Sequence, residues 1–215
     1  MHPVLVLPLN EGSGDIVYDR SGYNNHGTCY NTQWIKKWRD WLLYFNGENA
    51  YIEVPDSPSL DITDEITLSA WVYPLARQAV YDRDGIIIKG GAYYLTITPD
   101  GYVAVYFYGL GSPGYHIGTI VVPLYQWSLI STTYKSTTGK IRIYVNNTLD
   151  REISTSGKIA ISDRPLAIGS EWTGGSRFLN GYIGSALVCR KALSADQIAF
   201  LSSLFRGEKR SPPVF

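Results

Sequence analysis

The sequence predicts an all-β protein, two antiparallel sheets packed as a sandwich, with one short C-terminal helix. Three observations carry that prediction. Short runs of β-branched and aromatic residues recur along the chain, each ended by Gly, Pro, Asn or Asp. The counts agree: 17 Tyr, 6 Trp, 21 Gly and 11 Pro among 215 residues, many strand formers broken by many turn formers. Where alternation is clean it makes one face apolar, as two stacked sheets require.

Taken in order, Val4 to Leu9 is the first strand. The Trp34–Trp41 stretch runs into Leu42-Leu43-Tyr44-Phe45 and stops at Asn46-Gly47. Tyr51 to Val54 ends at Pro55, which cannot donate to a ladder. Ile66 to Val72 puts Leu68, Ala70 and Val72 on one side and Ser69, Trp71 and Tyr73 on the other. Ile86 to Lys89 is short. Tyr94 to Thr98 and Tyr102 to Tyr108 flank Pro99-Asp100-Gly101, a hairpin signal. Ile117 to Val122, Trp127 to Tyr134, Ile141 to Val145, Leu149 to Ile153, Leu166 to Ile168 and Gly181 to Cys189 complete the set. The helix starts at Ser194, with Gln197 as its capping-box partner and Ile198, Leu201 and Leu204 on one face. With no internal repeat and no linker, residues 1–205 read as one domain and 206–215 as a basic, Pro-rich tail.

Composition excludes several classes. Lys+Arg and Asp+Glu both number 19, so the charge excess on which general nucleic-acid binding rests is missing. Trp34–Trp41 interleaves Lys36, Lys37 and Arg39 with tryptophans, but it reads better as a solvated face with packed rings. No apolar run reaches the roughly 18–20 residues that span a bilayer, so membrane insertion is not expected. His2, His26 and His116 are scattered, which leaves no zinc spacing. Cys29 and Cys189 are either two separate small hydrophobes or a bridge between the first and last strands. No signal peptide is visible, so the expectations for location are a virion, an intracellular site, or excision from a secreted protein.

Several blocks resemble a known family. Leu7-Pro8-Leu9-Asn10-Glu11-Gly12-Ser13-Gly14 continues to Asp19-Arg20-Ser21-Gly22-Tyr23-Asn24-Asn25-His26-Gly27-Thr28. Later come Phe45-Asn46-Gly47, Tyr51 to Leu60, Ile66 to Pro74, Gln126-Trp127-Ser128, Tyr144-Val145-Asn146 and Ala192-Leu193-Ser194-Ala195-Asp196-Gln197-Ile198. In this order they resemble LamG-like jelly-roll domains of the concanavalin A-like lectin/glucanase superfamily, from about Leu7 to Leu201. The resemblance implies a concanavalin A-like jelly roll. It also implies a structural Ca²⁺ held by Asp19 and the loop at Asn24 with an acidic pair from the closing strand. Here Gly184 and Ser185 stand where that pair belongs, which weakens the case. The alternative for Asp19 is a loop cap that accepts backbone N–H groups. A rim-loop calcium at Asp82 and Asp84 is a weaker expectation.

Glucanases of this fold carry carboxylates at alternate positions of one strand, and no such array is read here. Glu53 and Asp56 are out of phase, and Asp82 and Asp84 sit in Tyr81-Asp82-Arg83-Asp84-Gly85, which reads as a turn. The expectation is therefore a non-catalytic protein. The informative feature is aromatic. Opposite the core side of the hairpin stand Tyr94, Tyr106 and Tyr108, with Tyr73 as an extension. These rings could stack on sugars while their hydroxyls bond sugar hydroxyls, or could pack under loops or a partner. Glu171-Trp172-Thr173-Gly174-Gly175-Ser176-Arg177 can present Glu171 and Trp172 to a ligand, or be a plain connection. Asn146-Asn147-Thr148 is a formal glycosylation sequon in a turn.

The expected function is carbohydrate recognition, of a polysaccharide or a glycoprotein's surface glycans, by that aromatic face or by rim loops. The alternative is a virion or surface-coat attachment protein that uses the same face for protein contacts, with self-association or a larger assembly.

Overall fold

The structure is a computed structural model that describes residues 2–37, 40–77, 83–112, 114–171 and 175–208, the side chains of 204–208 excepted. Sixteen strands are present among them: β1 Pro3–Leu7, β2 Ile16–Val17, β3 Gly27–Tyr30, β4 Gln33–Lys37, β5 Asp40–Asn46, β6 Tyr51–Val54, β7 Glu65–Pro74 and β8 Asp84–Lys89, then β9 Tyr93–Ile97, β10 Tyr102–Phe107, β11 His116–Val121, β12 Ser128–Lys135, β13 Lys140–Val145, β14 Thr148–Ser154, β15 Leu166–Ile168 and β16 Asn180–Cys189. They form two antiparallel sheets. The first runs β14-β13-β12-β7-β16-β5-β4, with β1 paired to β16; the second runs β11-β10-β9-β8-β15-β6-β3-β2.

Alternation explains the core. On β7, Ile66, Leu68, Ala70 and Val72 enter the central apolar cluster; on β9 and β10, Leu95, Ile97, Val103, Val105 and Phe107 meet them from the other sheet. Burying such side chains is worth roughly 1.5–3 kcal/mol each. Packing is close where the sheets meet. Gly169 has φ +84, and a Cβ there would stand 2.4 Å from the Phe45 ring. Only glycine meets both conditions without strain.

Trp71, Leu129, Tyr144 and Leu187 point out of the first sheet and form a second cluster with Leu193 and with Ile198 and Leu201 of the helix α1, Ala195–Glu208. The capping box is made: Gln197 N–H donates to Ser194 Oγ (3.3 Å) and Ser194 N–H to Gln197 Oε1 (3.0 Å). Because α1 runs to Glu208, it extends into the stretch read as tail, and residues 209–215 lie outside the described residues.

At one end of the sandwich, Asp150 of β14 accepts from Thr119 N–H (2.8 Å) and Ile120 N–H (3.0 Å), so a carboxylate of one sheet caps the edge strand of the other. The Trp34–Trp41 stretch is a β4–β5 hairpin in which Gln33 pairs with Tyr44 and Lys37 with Asp40; Trp38 and Arg39 lie outside the described residues. Cys29 and Cys189 are both free, on strands of different sheets.

Candidate functional site

Register defines the outer face of the second sheet. Tyr106 pairs with Tyr94, Tyr94 with Ile88, Ile88 with Ala167, Ala167 with Glu53 and Glu53 with Thr28. One cross-strand row thus crosses six strands and is aromatic at one end. The neighbouring row, Ala104, Thr96 and Gly85, is small-sided. The segment after β15 passes over it at close range: a Cβ on Gly85 would lie 2.3 Å from the Ser170 carbonyl carbon, and Gly85 N–H donates to Arg177 O (2.8 Å).

The aromatic end is a cluster of four tyrosines. Ring centroids lie 6.2 Å apart for Tyr94 and Tyr106, 5.5 Å for Tyr94 and Tyr108, and 4.5 Å for Tyr106 and Tyr108. Tyr115, from the β10–β11 turn, adds contacts of 5.1 Å to Tyr106 and 6.2 Å to Tyr94. All these pairs are tilted, the arrangement that ring quadrupoles favour. Tyr94 is buried and the other three are half-buried. Burial raises the Tyr94 and Tyr115 hydroxyl pKa values, and Tyr108 adds to the rise at Tyr94. Both hydroxyls therefore stay neutral near pH 7 and can donate and accept hydrogen bonds.

Charge reaches the cluster from two loops. The Arg83 guanidinium lies 3.5 Å from the Tyr115 ring centroid. Burial lowers the Arg83 pKa, and neighbouring Arg177 lowers it further against the opposing pull of Tyr115. Glu171 is buried, pairs with Arg177, and accepts from Ser176 Oγ (3.2 Å). Arg177 holds φ +59, an unusual backbone for a non-glycine residue. Farther along the same face Tyr51 stacks on Tyr30 (4.8 Å) and meets Phe178 (6.5 Å).

Of the residues expected from sequence, Tyr94, Tyr106 and Tyr108 come together, and Glu171 lies in the loop that crosses their sheet. Trp172 and Asp82 lie outside the described residues. Tyr73 does not extend the cluster. It belongs to β7 in the other sheet, where its ring meets Trp127 and Tyr182. Alternation told its face but not its sheet. Arg83 and Tyr115 were missed, because neither stands in a periodic run.

Asp84 is not in a turn. It opens β8, is buried, and lies close enough to Arg77 to favour that cation. Asp19 caps its loop: Oδ1 accepts from Val6 N–H (2.8 Å) and Ser21 N–H (2.9 Å), and Oδ2 from Ser21 Oγ (2.6 Å) and Asn25 N–H (3.0 Å). Asn24 is exposed with φ 58, and buried Asn25 instead donates to Val4 O and Ser59 Oγ, both at 2.7 Å. Ser185 pairs with Trp71 past a bulge. Asp19 thus acts as a loop cap, both of its oxygens accepting from protein donors, whereas calcium takes several oxygens, carboxylates among them. Among the described residues, no group of three or more His, Cys, Asp or Glu is placed to hold a metal.

Asp150 and Glu152 of β14 do have the alternate spacing of a catalytic pair. Both are engaged structurally: Asp150 caps β11, and Glu152 binds Lys140 (3.0 Å) and Arg142 (2.8 Å). A hollow of about 420 Å³ lies at Asp61, Asp64, Glu65, Arg190 and Lys191, where Lys191 pairs with Glu65 (3.8 Å) and Arg190 donates to Ser59 O (3.0 Å).

Comparison with known proteins fits this architecture. The family model Laminin_G_3, of the concanavalin A-like lectin/glucanases superfamily, matches residues 46–199. No curated protein matches. Domain 4 of AbnA, a GH43 extracellular arabinanase from Geobacillus stearothermophilus solved with arabinotriose, is similar at TM-score 0.70 and 16% identity, over 93% of this chain and 98% of that one. The binding domain of Paraclostridial Mosquitocidal Protein 1 gives 0.73 at 16%, over 95% and 52%. Botulinum neurotoxin type C, whose cell entry depends on two ganglioside molecules, gives 0.71 at 15%, over 95% and 51%. The chain spans about half of those two toxin chains. At such identity these structures share the fold alone.

Proposed function

This chain belongs to the concanavalin A-like lectin/glucanases superfamily, and from that premise we propose that it is a non-catalytic binding module that recognises carbohydrate, free or on a glycoprotein. The observation that carries the reading is the cluster of Tyr94, Tyr106, Tyr108 and Tyr115, with Arg83 against Tyr115, on the outer face of the second sheet. A pyranose or furanose ring offers C–H faces that stack on a phenol ring, and hydroxyls that match its polar tip. Arg83, Glu171 and Arg177 supply donors and acceptors beside the rings, and these would set orientation and selectivity.

The solved complex of a similar domain with arabinotriose, and the ganglioside dependence of another similar protein, support carbohydrate as the ligand class. Catalysis is not part of the reading. The one alternate carboxylate pair recognised on a described strand, Asp150 and Glu152, is bonded to protein groups.

The test is a titration panel of arabino-oligosaccharides, other neutral oligosaccharides and ganglioside headgroup sugars. It uses the natural chain and the Tyr106→Ala, Tyr108→Ala double variant. Stacking worth about 1–1.5 kcal/mol per ring predicts a loss of tenfold or more in the variant. Equal binding by a folded variant, or binding to no sugar, would overturn the reading. Assembly that buries Tyr106 and Tyr108 would point instead to protein contacts on this face.

A further inference from the structure

We infer that the outer face of the first sheet carries a second, separate site: the aromatic row of Trp127, Tyr73, Tyr182 and Tyr44, with Lys37, which holds an extended acidic polysaccharide.

The row is set by register. Tyr182 of β16 pairs with Tyr73 of β7 on one side and with Tyr44 of β5 on the other, and Tyr44 pairs with Gln33 of β4. Trp127 precedes β12 and continues the line. Successive centroids lie 5.4, 5.9 and 5.5 Å apart, and all four rings are half-buried. Strand spacing of about 4.8 Å fixes the repeat. That is close to the length of one pyranose unit, so a sugar chain laid across the strands meets one ring per unit.

The base of the row is rigid. Trp127 stacks on Trp71 at 6.3 Å with an interplanar angle of 6°, and Trp71 is buried in the cluster beneath α1. Preorganised rings lose little freedom on binding.

Chemistry selects the ligand class. The row presents an indole, three phenols and the Gln33 amide, and its charged end is Lys37 with Asp40 opposite it in register. Burial raises the Tyr182 pKa, and Tyr44 and Tyr73 raise it further, so the Tyr182 hydroxyl stays neutral. Lys37 places its ammonium 5.9 Å from the Tyr73 centroid and 5.5 Å from that of Tyr182. A cation set among stacking rings complements a uronate, whose ring stacks while its carboxylate meets the ammonium. The site is on the opposite side of the sandwich from the tyrosine cluster and does not depend on the function proposed for it.

The probe is polygalacturonate, in affinity electrophoresis and calorimetry. The natural chain is expected to be retarded, and the Tyr73→Ala, Tyr182→Ala pair to bind at least tenfold more weakly. Tyr73→Phe, Tyr182→Phe keeps the rings and is expected to retain most of the binding. Lys37→Gln is expected to bind severalfold more weakly with a flatter salt dependence. This half-buried surface substitution keeps the test open if the alanine pair does not fold. An unretarded natural chain overturns the site, as do folded ladder variants that bind as the natural chain does. Loss seen only in Tyr106→Ala, Tyr108→Ala would assign the acidic sugar to the other sheet and also overturn it.

Discussion

The Arg83 guanidinium lies 3.5 Å from the centroid of the Tyr115 ring, and this contact joins a cation just before β8 to an aromatic cluster built on β9 and β10. Tyr115 in turn touches Tyr106 and Tyr94. Removing either partner should loosen the cluster without opening the core, which lies on the other side of the sheet. Arg83→Ala and Tyr115→Ala are each expected to weaken sugar binding by about fivefold to tenfold, given roughly 1 kcal/mol for such a contact. Thermal midpoints should shift little. Titration beside a melting curve checks both; an unchanged affinity contradicts the role given to the pair.

Asp19 closes its loop by accepting four hydrogen bonds from protein donors. Charge-assisted bonds of this kind contribute a net of about 1.5–3 kcal/mol each. Asp19→Ala is expected to cost at least 2 kcal/mol in denaturant unfolding, while a chelator leaves the natural chain's melting temperature unchanged. A fall of several degrees with chelator would mean that calcium does hold this loop.

Gly169 and Phe45 form a packing pair. Gly169→Ala forces a Cβ to 2.4 Å from the ring at φ +84, and should cost more than 2 kcal/mol. Phe45→Ala empties a fully buried site and should cost about 3–5 kcal/mol. The double variant is expected to lose less than the sum, because the small side chain removes the clash. Strict additivity in urea midpoints would show that backbone strain alone sets the Gly169 cost.

Burial pushes the Cys29 thiol up to about 11 and Cys189 up to about 12, from an ordinary 9.0. The unfolded chain therefore ionises first. The stability from these neutral thiols is complete below about pH 9 and is lost as pH rises through 11 to 12. Tyr134, Tyr144 and Tyr182, also raised by burial, act in the same direction. Urea unfolding at pH 8 and pH 10.5 should give a lower midpoint at the higher pH. Native protein at pH 8 should leave a thiol reagent unconsumed until it unfolds. Rapid reaction of one thiol in the native state would contradict its burial.

The sandwich was legible because period two is a local signal. Leu95 and Ile97 against Tyr94, and Leu68 and Ala70 against Ser69 and Trp71, took the faces that alternation assigns. Which sheet a strand joins is set by distant pairing, so Tyr73 was placed on the correct face of the wrong sheet. The β4–β5 hairpin escaped notice because no Asn-Gly or Pro-Gly pair marks its turn. Arg83 and Tyr115 sit outside any repeat, and only the closed fold brings them within 3.5 Å. The bonding of Asp19 was one of two readings open in the sequence, because its donors include Val6, thirteen residues away on β1.

The most direct measurement is a ring-resolved NMR titration of tyrosine-labelled protein with the best sugar from the panel. The account predicts that Tyr94, Tyr106, Tyr108 and Tyr115 shift together on one saturation curve, while Tyr93 and Tyr134, buried in the core, stay still. Saturable shifts confined to tyrosines elsewhere, with these four unmoved, would contradict the placement of the site on the second sheet.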